Sequence, residues 1–123
     1  MLSTRSQEIL KNAHINLQRL AIDVANRMQI SVYISYRGEL EQNEAFKKGT
    51  SKLKFPDSKH NKKPSLAIDV APLKNGTIDW NDEKLFIQMR AEFGVSAKEL
   101  EIKINPLIIF KNGSKDYPHI ELA

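Results

Sequence analysis

Apolar positions recur every three or four residues from Thr4 to Met28. Leu10, Ala13, Leu17, Leu20, Ala21, Val24 and Met28 share one face, which predicts one amphipathic helix with Thr4 and Gln7 as a capping box at its start. The period then shortens to two. Val32, Ile34 and Tyr36 alternate with Tyr33, Ser35 and Arg37, as in a half-buried strand. Glu39 to Lys48 suits a short helix that Gly49 ends. Thr50 to Pro64 has no period and carries five lysines and two prolines, which predicts a long exposed loop, a kind of segment that is often functional. Alternation returns at Leu66 to Ala71, where Leu66, Ile68 and Val70 point one way and Ala67, Asp69 and Ala71 the other.

Asn75-Gly76 marks a turn. Asn81 is placed to cap a helix running to about Phe93 and stopped by Gly94, and Ser96 with Glu99 signals a second helix after it. Ile102 to Phe110 holds strand-like runs broken by Pro106, Asn112-Gly113 is another turn, and His119 to Leu122 reads as a last short strand. Helices and strands alternate irregularly. The expected class is α+β, a small, mainly antiparallel sheet packed against helices.

Composition narrows the classes. A chain of 123 residues, 41% apolar and 28% charged, builds one domain with a core, here 1–123. The absence of cysteine removes disulfide scaffolds, Cys-ligated metals and thiol nucleophiles. No run approaches the roughly 20 apolar residues that span a bilayer, and the polar stretch Met1 to Lys11 lacks the apolar core of a secretory signal. Nineteen Lys+Arg against fifteen Asp+Glu give +4, a mild pull toward anionic polymers. With no clustered recognition helix and no aromatic-basic motif, nucleic acid is not an expected partner.

The candidate chemistry lies in two motifs. Ser58-Lys59-His60 leads to Ala67-Ile68-Asp69, and Asp116-Tyr117-Pro118-His119 follows near the other end. If their strands are neighbours, Asp69 and His119 project from one sheet face while His60 folds over it from the loop. Two imidazoles and one carboxylate make a three-ligand zinc site with its fourth position open, the catalytic rather than the structural arrangement. A hydrolase of this kind also needs a carboxylate to take a proton from water; Asp116 is one candidate and Glu121, on the same alternation face as His119, is the other. Tyr117 is placed to touch substrate. His14 is expected to be structural or exposed, and Trp80 a packing residue.

These motifs resemble the zinc D,D-carboxypeptidase and L-alanyl-D-glutamate endopeptidase family of peptidoglycan peptidases, which includes phage endolysins and shares its fold with the hedgehog signalling domain. Upstream, Tyr36-Arg37, Glu41-Gln42 and Phe46-Lys47-Lys48-Gly49 are similar to the segment that precedes the Ser-x-His motif in that family. The resemblance runs from about Ile30 to Leu122. It implies that His60, Asp69 and His119 bind Zn²⁺ and that Asp116 is the catalytic carboxylate. It further implies that Arg37 contacts substrate and stabilises the oxyanion, that Ser58 orients the site and that Gln42 buttresses Arg37. The implied activity is cleavage of peptidoglycan peptide stems, first at L-Ala–D-Glu. The alternatives are a D-Ala–D-Ala carboxypeptidase or a non-catalytic zinc-binding module of the same fold. It also implies a monomer made in the host cytoplasm that reaches the wall after release. Three departures stand out. The His60-to-Asp69 interval is longer than usual by residues falling in Lys62 to Ser65, Ser35 replaces a common glycine, and Asn105 to Phe110 replaces a Trp-Gly-rich stretch.

Overall fold

The computed structural model describes residues 1–123. In chain order its elements are α1 (Thr4–Leu10), α2 (Ile15–Ala25), β1 (Ile30–Ile34), α3 (Glu39–Lys47), a 3₁₀ turn (Lys59–Asn61), β2 (Ala67–Pro72), α4 (Glu83–Leu100), β3 (Ile108–Ile109), β4 (Lys115–Asp116) and β5 (His119–Glu121). The main sheet has the order β1-β2-β5, antiparallel throughout, and β3-β4 forms a separate hairpin. No helix is long and apolar enough to cross a membrane.

The single helix expected over 4–28 is two helices. At Asn12 to His14 the backbone leaves the helical path to pair with Ser65: His14 N–H donates to Ser65 O (2.8 Å) and Ser65 N–H donates to Asn12 O (2.9 Å). His14 Nδ1 then accepts from Asn16 N–H at 3.0 Å and caps α2. The cap of α1 is Ser3, whose hydroxyl accepts from Ser6 N–H, while the Gln7 amide donates to Leu2 O. The reverse correction applies to the two helices expected around Gly94, which are one. Phe93 and Ala97 both pack into the core across that glycine. Ser96 is no cap; its buried hydroxyl donates to Asp23 (2.5 Å) and accepts from Arg27 (2.6 Å), joining α4 to α2. Asp82, not Asn81, caps α4 by accepting from Leu85 N–H.

Strand β2 occupies the middle of the sheet and is buried on both faces. Ala67, Ile68, Val70 and Ala71 are all sealed from solvent, and Asp69 is the one polar residue among them. The core gathers Leu17, Leu20 and Val24 of α2, Val32 of β1, and Phe86, Met89 and Phe93 of α4 around Ile68, Val70 and Ile120. Register follows from this pattern: Ile68 faces Ile120, so the next pair on the opposite face is Asp69 with His119. Ile68→Val removes one buried methylene and is expected to cost about 0.5–1.5 kcal/mol, read as a lower denaturant midpoint at unchanged slope.

Candidate metal centre and cleft

Asp69 and His119 sit opposite each other on β2 and β5, with side chains on the same sheet face. His60 arrives from the 3₁₀ turn, and the loop that holds it is not the solvated segment its composition suggests. Ser58, His60 and Asn61 are buried. Ser58 caps the turn, its hydroxyl accepting from His60 N–H (3.2 Å) and its own N–H donating to Asn61 Oδ1 (2.9 Å). Arg37 N–H donates to His60 O (2.8 Å), and Asn61 Nδ2 donates to Arg37 O (2.9 Å). His60 Nδ1 meets Ser35 O at 2.8 Å, and that carbonyl also accepts from Ser65 Oγ at 2.9 Å. A proton on Nδ1 therefore leaves Nε2 as a free lone pair facing inward. The added residues Lys62 to Pro64 bulge outward, and buried Ser65 brings the chain back.

Three donor atoms converge. His60 Nε2 lies 3.2 Å from His119 Nδ1, and each is 3.3 Å from Asp69 Oδ1. That oxygen is buried without a hydrogen-bond partner. Burial alone pushes the Asp69 carboxyl up, but the imidazoles of His119 and His60 outweigh it and hold the group below the usual carboxylate range. The donor set fits a small divalent cation. Tetrahedral zinc with bonds of about 2.0–2.1 Å places its ligand atoms about 3.3–3.4 Å apart, close to the observed spacings. A cation would also satisfy the orphaned oxygen.

His119 is held from behind. Its Nε2 lies 2.8 Å from Glu121 Oε1, and Glu121 Oε2 accepts from Asn105 Nδ2 (2.5 Å) and pairs with Lys59 (3.4 Å). Glu121 is thus occupied in fixing the ring so that Nδ1 faces the cluster, which leaves Asp116, of the two candidate carboxylates lining the cleft, as the one without such ties. If His60, Asp69 and His119 hold the metal, Glu121→Gln is expected to weaken zinc affinity about 10–100-fold, read by competition with a chelating dye.

A cavity of about 510 Å³ opens over the cluster, within the range of small-ligand sites. Arg37, Lys52 and Lys59 line it together with Asp116 and the apolar Ile108 and Phe110. Ile108 and Phe110 come from the stretch that departs from the familiar motif. Asp116 stands on β4; burial first and then the negative charge of Asp69 push its carboxyl above the usual range, against the pull of His119, His60 and Arg90. Arg37 Nη2 is 3.6 Å from Asp69 Oδ2, and Arg37 Nη1 donates to Gln42 Oε1 (3.2 Å). Gln42 is fully buried and itself donates to Ser51 Oγ (2.9 Å) and Leu53 O (2.5 Å), so it ties Arg37 to the loop.

Tyr117 lies elsewhere. Its hydroxyl donates to Glu83 (2.6 Å) and its ring leans on Phe86, away from the cleft lining. Tyr117 and Pro118 form the turn between β4 and β5, so Tyr117 belongs to neither strand and does not share the face of His119. Arg90, which sequence reasoning missed, donates through Nη1 to Tyr117 O (3.2 Å) and His119 O (2.6 Å), fixing the backbone that carries His119. The available signal was an arginine set among Phe86, Met89 and Phe93 on the inward side of α4.

Fold and site together define a small α+β protein with a three-donor centre open to a cleft lined by charges of both signs. A model of the phage L-alanyl-D-glutamate peptidase family matches residues 1–123, and the chain belongs to that family. The L-alanyl-D-glutamate peptidase of Escherichia phage T5 is 48% identical over 56 residues, which cover 46% of this chain and 40% of that protein. The chain therefore aligns with less than half the length of this relative. The crystal structure of the Serratia marcescens L-Ala D-Glu endopeptidase ChiX superposes with a TM-score of 0.84 at 25% identity, covering 100% of this chain and 90% of the other. The α+β class and the family resemblance read from the sequence are both borne out.

Proposed function

We propose that the protein is a zinc peptidase that hydrolyses the L-Ala–D-Glu bond of peptidoglycan stems. The observation that carries this reading is the 3.2–3.3 Å triangle of His60, His119 and Asp69 donor atoms beneath a cleft that also holds Asp116 and Arg37. Family membership and the likeness to the two named peptidases support the choice of bond. Zinc held by the three donors would supply Lewis acidity, activating water near neutral pH and polarising the scissile carbonyl.

The chain's own groups do the rest. Asp116 accepts a proton from the attacking water as its oxygen bonds to the carbonyl carbon, then delivers that proton to the amine as the C–N bond breaks. The Arg37 guanidinium, steadied by Gln42, offers forked donors to the developing oxyanion. Lys52 on the cleft wall offers a cation to a substrate bearing the D-Glu carboxylate, Lys59 being paired with Glu121. The protein acts as a monomer, made in the host cytoplasm and reaching the wall after release.

Digestion of purified peptidoglycan by zinc-loaded protein, with a chelated control and mass spectrometry of new termini, tests the reading. Chelator-sensitive appearance of N-terminal D-Glu is expected. Release of free D-Ala would make the protein a carboxypeptidase, and stoichiometric zinc without any cleavage would make it a binding module.

A further inference from the structure

Trp80 is the chain's one tryptophan, and at 57% exposure it is no core residue. A lone exposed apolar side chain is ordinary, but this one is built into an arrangement. Its ring stacks on buried Phe86 at 5.9 Å and 25°, and Tyr33 meets it nearly perpendicular at 5.6 Å and 89°. One indole face is thereby backed by protein while the ring remains open to solvent. Tyr33 itself lines the cleft, and the charges of Asp69 and Asp116 act on its hydroxyl, which burial and those charges push up. Trp80 therefore stands one ring away from the cleft wall. Exposed Thr77, Asp79 and Asn81 surround it in the chain with polar groups.

We propose that the open face of Trp80 is a saccharide platform that stacks on a pyranose ring of the glycan strand from which the wall peptide hangs. The inference rests on reading the cleft as the receptor of that peptide. A pyranose presents a flat array of C–H groups that complements the negative face of an aromatic ring, and its hydroxyl and acetamido groups need polar neighbours of the kind that flank Trp80. In peptidoglycan the L-Ala residue is attached directly to the muramyl sugar. A single residue, spanning at most about 3.6 Å, thus separates the sugar substituent from the L-Ala–D-Glu bond. A protein partner would call for a broader apolar patch than one ring bordered by polar residues.

Because Trp80 is the sole tryptophan, its emission reports on this site alone. The full chain is titrated with the peptide-free disaccharide of N-acetylglucosamine and N-acetylmuramic acid. A saturable change in emission with a dissociation constant of about 1–10 mM is expected. In a second measurement, KM is compared for a stem carried on that disaccharide and for the same stem without sugar. Trp80→Ala is expected to raise the sugar-borne KM relative to the sugar-free one by about threefold to tenfold. Trp80→Phe, which retains a stacking face, is expected to restore the ratio. Emission unchanged up to about 10 mM disaccharide, or an Ala variant that shifts both KM values equally, overturns the platform. If neither substrate is cleaved, the peptidase reading fails, and the emission titration still decides the saccharide site.

Discussion

Asp116→Asn is expected to lower turnover about 10²–10⁴-fold while leaving bound zinc unchanged. The amide is nearly isosteric with the carboxylate but cannot accept a proton from water. Asp116 stands on β4, outside the three-donor triangle, so its loss removes no metal contact. The check is paired: kcat on wall fragments and zinc content by elemental analysis of the same preparation. Full activity would pass the proton-accepting role to another group. Glu121 is the nearest rival by sequence, yet it is held between His119, Asn105 and Lys59. A loss of zinc in the variant would mean that Asp116 ligates instead.

The second large effect is on metal retention. His60→Ala is expected to reduce zinc affinity by more than the roughly 10–100-fold typical of an orienting residue, and to remove activity with it. The imidazole supplies one of three donors, and its other nitrogen is committed to Ser35 O. Removing it leaves Asp69 and His119 as an incomplete pair. Metal content and activity measured across a zinc titration should fall together. Stoichiometric zinc at wild-type affinity would show that His60 is no ligand.

These assignments were legible to different degrees, for physical reasons. Period-two alternation around Asp69 and His119 showed that both could leave the apolar side of their strands, and their pairing follows from matching Ile68 to Ile120. His60 was harder. Its loop is rich in lysine, yet Ser58, His60 and Asn61 are buried because their polar groups satisfy one another locally. His60 was singled out by its interval to Asp69, the resemblance added Ser58, and Asn61 carried no signal. The break between α1 and α2 left no mark in the apolar period, since Ala13 and Leu17 stay on one face across it. A distant partner, Ser65, decides that break. Gly94 misled in the opposite direction: burial of Phe93 and Ala97 carries the helix through a residue of low propensity. Tyr117 was singled out as the residue between Asp116 and Pro118, and the turn it forms with Pro118 carries it to Glu83 and Phe86 instead.

The pairing of Ile68 with Ile120 and of Asp69 with His119 comes from one and the same strand register. A slip of one residue would carry the apolar partners to the wrong face and the polar donors into the core. Packing and donor geometry are thus fixed by the same register. If the three donors hold an ion, its affinity becomes a gauge of native assembly: a misregistered sheet would hold none, and an ion binding only the correct sheet would reward correct folding by mass action.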